Sequence, residues 1–129
     1  MKAALTGLVV AIAPTMGVAC VPEGEAFALV SEDGDSTEAF AVMGAQRLSQ
    51  PFEFELQFCG GDAIERLDVA AIMPAHQHGM NYEPVVKPLA EGRFLVSGMV
   101  FHMPGHWEVQ VSAYGADQTR FYTLDQHIK

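Results

Sequence analysis

Basic residues are scarce in this chain: seven Lys and Arg stand against 16 Asp and Glu, a formal charge of −9 with the five histidines neutral. So acidic a surface argues against nucleic acid and anionic lipid as partners, since both are bound through clustered cations, and it favours solubility and cationic partners. Cysteine is nearly missing as well, with only Cys20 and Cys59. A blue-copper site needs a Cys beside two His and a weak axial ligand, and Cys59, in FCGGD, has no His or Met following at short spacing. Long apolar runs are wanting too. A membrane anchor takes roughly 20 unbroken apolar residues; the run from Ala3 to Ala13 stops at Pro14, and no later segment comes close. Serine-nucleophile motifs, glycine loops for phosphate and the H-E-x-x-H zinc signature are all absent, so nothing marks the chain as an enzyme.

At 129 residues and half apolar, the chain can bury one ordinary core and is too short for two domains. Its first 19 residues, MKAALTGLVVAIAPTMGVA, read as an export signal: one Lys, an apolar run, then small residues before a cut preceding Cys20. Cleavage there would remove Lys2 and no acid, taking the charge to −10 and leaving a domain of residues 20–129. Such a leader implies the periplasm. In an oxidising compartment, Cys20 and Cys59 are expected to pair as a disulfide. The rival is a lipid on Cys20, although GVAC lacks the large aliphatic residue usual three places earlier.

What remains is patterned as strands. PFEFELQF alternates apolar Phe52, Phe54, Leu56 and Phe58 with polar neighbours, and HWEVQVSAY does the same with Trp107, Val109, Val111 and Ala113. Further strands are expected at 26–30, 38–43, 67–73, 93–100 and 120–124, separated by turn signals such as EDGDS, CGGD, EGR and GADQ. No window of a dozen residues keeps a 3.6-residue apolar period. The expected class is all-β, an antiparallel sandwich of about seven strands. Residues 74–91, with Pro74, Pro84 and Pro88, read as a long connection between strands.

The mature chain holds five His and five Met, and eight of these ten lie between Met73 and His106. They fall in two matched stretches, IMPAHQHGM and FHMPGHW, each containing Met-Pro-x-His. Thioethers are soft, uncharged donors suited to Cu(I), and imidazole suits both oxidation states of copper. Unlike thiolates, neither is lost to disulfide exchange outside the cytoplasm. The candidate metal ligands are therefore His76, His78, Met80, His102, Met103, His106 and Met73, with copper as the metal. One Cu(I) needs three or four of them; the others would capture the ion or support its ligands.

Residues 75–78, if extended, would point His76 and His78 to one side, with Met80 continuing that face. Met73 and Met103 are each expected to end a strand at a proline, launching two loops that can meet if their strands share an end of the sandwich. Met99 and Met43 sit within strand patterns and are expected to fill the core, as Met73 also could. Trp107 is expected in the core beside the site, and His127 in a solvated tail. A zinc centre of His76, His78 and His102 with Glu83 as base is a weaker alternative. Another is an accessory domain without metal, its loops binding a protein partner through Met and aromatic contacts.

The order IMPAHQHGM followed by EGRFLVSGMVFHMPGHWEVQV resembles the YtkA-like family of small exported bacterial domains. The matching positions are Met73, Pro74, His76, His78, Gly79 and Met80, then Gly92, Arg93, Phe94, Met99, Met103, Gly105 and Trp107, within a stretch from about residue 51 to 114. The resemblance implies an immunoglobulin-like sandwich in the cell envelope, linked to metal handling, with copper foremost, or to assembly of respiratory metalloproteins. It implies no enzymatic activity. This chain departs from the family in carrying CGGD, with Cys59, where a longer proline-and-glycine stretch is expected. Copper delivery, buffering or metalloprotein assembly, with an envelope protein as partner, is the expected task.

Overall fold

A computed structural model describes residues 3, 7–11, 20–34 and 37–129; most of the expected leader, including its cut site, lies outside the described residues. Ten strand segments and no helix are present among the described residues: β1 (Ala26–Ala28), β2 (Val30–Ser31), β3 (Glu38–Met43), β4 (Phe52–Cys59), β5 (Arg66–Met73), β6 (His78–Gly79), β7 (Val85–Ala90), β8 (Arg93–Met99), β9 (Gly105–Tyr114) and β10 (Thr119–Ile128). They form two antiparallel five-stranded sheets, β1-β3-β4-β8-β7 and β2-β10-β9-β5-β6. Seven strands carry the frame. The orders β3-β4-β8-β7 and β10-β9-β5 match the ABED and GFC sheets of immunoglobulin-like sandwiches, with β1, β2 and β6 as short edge additions.

Alternation builds the core. Phe52, Phe54, Leu56 and Phe58 of β4, Leu67, Val69, Ala71 and Met73 of β5, and Trp107, Val109, Val111 and Ala113 of β9 are all buried, while residues between them face outward. In β8 the alternation breaks, and the break is useful. Phe52 pairs with Met99 but Phe54 with Val96, so Ser97 and Gly98 together oppose Glu53. This bulge needs a left-handed residue, which Gly98 supplies at φ 76°. It turns Met99 inward, where uninterrupted alternation from Val96 would have placed Gly98, and Phe101 follows into the core.

Three strand expectations need correction. Residues 74–91 are not one long connection: they contain β6 and β7, the latter paired with β8 from Val85↔Ser97 to Ala90↔Arg93. Pro88 is tolerated because β7 is an edge strand, with no outer neighbour to receive an amide hydrogen bond. β10 runs to Ile128, so His127 stands on a strand, still exposed, and not in a tail. Met103 does not end a strand. β8 finishes at Met99, and Met103 lies in the crossover to β9.

Cys20 and Cys59 form a disulfide with Cα atoms 5.4 Å apart, tying the N-terminal segment to the end of β4. No helix among the described residues is long and apolar enough to cross a membrane.

Candidate metal centre

The first Met/His stretch is the tight turn of the β5–β6 hairpin. Met73 ends β5, and its carbonyl accepts hydrogen bonds from the amides of His76 (3.1 Å) and Gln77 (2.9 Å). Gln77 takes a left-handed φ of 52°, which closes the four-residue loop and returns the chain as β6. Residues 75–78 are thus bent, not extended. His76 and His78 nonetheless come together, their rings stacked with centroids 5.6 Å apart. His78 pairs directly with Met73 across the hairpin, which puts its side chain on the inward face of the sheet, at the sandwich's open end.

The second stretch is the crossover from β8 to β9, which passes from one sheet to the other. Phe101 is buried against Phe52 and Trp107, at centroid distances of 4.9 and 5.0 Å, and anchors the crossover from below. The Trp107 indole N–H donates to the Met103 carbonyl at 2.9 Å and anchors it from the side. Between these anchors His102 emerges half-buried, its ring 5.3 Å from Trp107 and 5.5 Å from His78. His78 also lies 6.3 Å from Trp107, edge to face. The two stretches meet: His76, His78 and His102 form a continuous group of imidazoles over a buried tryptophan.

The methionines of the two stretches lie at different depths. Met73 is buried, and its methyl lies 3.1 Å from where a Cβ on Gly105 would stand, so residue 105 is kept free of a side chain. Met80 and Met103 are partly buried and pack against the core. Met80 also lines a cleft with Leu67, Val69, Tyr82 and Val86. Met99 is fully buried and Met43 partly so, each a core filler as expected. Glu83 is exposed and lines the same cleft as Met80.

His106 is not brought into this group. It precedes Trp107 on β9, and strand alternation therefore sends its side chain to the outer face of the sheet. There its ring stacks on His127, with centroids 4.9 Å apart, and its Nε2 lies 2.6 Å from Asp125 Oδ1. Sequence reasoning placed His127 in a solvated tail and did not single out Asp125. The signal that would have found them is the alternation of β10, in which Phe121, Thr123, Asp125 and His127 all point outward once the strand is carried to Ile128.

Among the described residues no three His, Cys, Asp or Glu side chains are already aimed as a metal-holding group. The imidazoles of His76 and His78 stack instead of converging, so coordination would require ring rotation, for which exposed His76 and half-buried His78 and His102 have room. The donor types that the two stretches carry, imidazole and thioether with no thiolate or carboxylate, fit a soft monovalent ion. No protein-family model, curated protein or solved structure matches the chain.

Proposed function

We propose that this is an exported copper-binding protein that holds Cu(I) through His76, His78 and His102, with Met103 and Met80 as neighbouring thioethers, for delivery, buffering or metalloprotein assembly. The observation that carries this reading is the meeting of His78 and His102, from connections 24 positions apart in sequence, at 5.5 Å between ring centroids. Imidazole also tolerates Cu(II), so the site accepts either oxidation state, with the thioethers favouring the reduced one. The disulfide is in keeping with an oxidising compartment, and it engages the Cys20 sulfur that a lipid anchor would need. The charge, −9 for the whole chain and −10 without residues 1–19, favours a basic docking surface on the receiving protein.

The test is an anaerobic competition titration against a chromophoric Cu(I) chelator. The folded protein is expected to retain one equivalent, and H78A and H102A are each expected to weaken it by roughly tenfold or more, since even loss of a ligand's supporting contact costs that much. Indifference to Cu(I) and Cu(II) alike would leave the metal-free partner-binding reading in its place.

A further inference from the structure

We propose a second metal site, separate from the first, in which His106 and His127 bind a borderline divalent cation, Zn(II) or Cu(II), on the outer face of the β9–β10 pair. Four observations support it. His106 and His127 are direct cross-strand partners, so their side chains leave the same face at adjacent points. Their rings already stack at 4.9 Å and 21°. β9 and β10 are paired without a break from Thr119↔Tyr114 to Ile128↔Gly105, which holds both Cα atoms at fixed spacing. Asp125 Oδ1 sits 2.6 Å from His106 Nε2.

The last contact assigns roles. A carboxylate on one ring nitrogen fixes the tautomer and orientation of a histidine and makes the other nitrogen a better donor. Asp125 thereby leaves Nδ1 of His106 for the metal, and is a positioning residue, not a ligand. His127 supplies the second nitrogen, and water fills the remaining positions. Two direct protein ligands make a weak, open site, in keeping with no three-residue group being aimed at one point among the described residues. Glu108, which pairs with Asp125 across the strands, adds negative charge beside the incoming cation. With two imidazole donors, water in the remaining positions and no thioether, the donor set selects borderline divalent ions over Cu(I).

This inference does not rest on the Cu(I) reading, and the test keeps the two apart. The triple variant H76A/H78A/H102A, with its disulfide intact, is titrated with Zn(II) while histidine ring nitrogens are followed by long-range 1H–15N correlation NMR. The His106 and His127 signals are expected to move together and saturate at one equivalent. Adding H127A should abolish the response, and adding D125N should weaken binding about tenfold. Without metal, D125N should also shift His106 from a single tautomer towards a mixture, an effect that a merely structural Asp125 would not produce. Unmoved His106 and His127 signals, or a response that survives H127A, would overturn the site. Unchanged affinity and tautomer in D125N would overturn the role of Asp125.

Discussion

Trp107 does three things at once: it fills the core, its N–H holds the Met103 carbonyl at 2.9 Å, and its ring backs His78 and His102. Phenylalanine would keep most of the apolar bulk and lose the hydrogen bond, leaving a part-buried carbonyl short of a donor. W107F is therefore expected to cost about 1–3 kcal/mol, read as a lower urea midpoint, and to loosen the crossover that presents His102. As Trp107 is the chain's single tryptophan, its fluorescence reports on the site. In H106A/H127A, which lacks the second pair of imidazoles, Cu(II) bound at His78 and His102 should still quench it. At this scale the sequence was informative for the grouping of His76, His78 and His102, because Met-Pro-x-His marks both connections. The same motif grouped His106 with them, but His106 stands one step along β9 from inward-facing Trp107 and so leaves by the opposite face.

The elements most legible in the sequence were β4 and β9, whose clean alternation follows from having one buried and one solvated face. β7 was not legible. It is exposed at five of its six positions and contains a proline, so neither a buried face nor a full ladder writes a pattern into it. The β5–β6 turn was hidden for another reason: its closure rests on Gln77 in a left-handed conformation, which glutamine does not advertise. The β8 bulge could be suspected only from Gly98. Its backbone φ of 76° is uncomfortable for any side chain, and a Cβ there would meet no atom closer than 4.0 Å. G98A is thus expected to be destabilising by about 1–2 kcal/mol through backbone strain alone, with no clash. Chemical denaturation of G98A with an unchanged m-value would check this.

Over the whole molecule, the disulfide and the proposed Cu(I) chemistry lie at opposite ends of β4. β4 runs from Phe52, beneath the histidines through Phe101, to Cys59, in the disulfide. Closing a loop of sequence separation 39 removes unfolded-state freedom worth about 4 kcal/mol. C20A/C59A should therefore lower stability by roughly 2–5 kcal/mol while the folded fraction binds Cu(I) as before; calorimetry and the chelator competition measure the two separately. The all-β class and the antiparallel sandwich could be read from composition and alternation. The sheet order could not, since it depends on which strands pair, and pairing is decided by packing between residues far apart in the chain.

The central claim is that two connections from different strand ends serve one ion. The most direct measurement follows the ring nitrogens of His78 and His102 by NMR while Cu(I) is added anaerobically. Both sets of signals are expected to change along a single curve that ends at one equivalent. Movement of only one of them, movement at separate equivalents, or no movement of either would contradict the account.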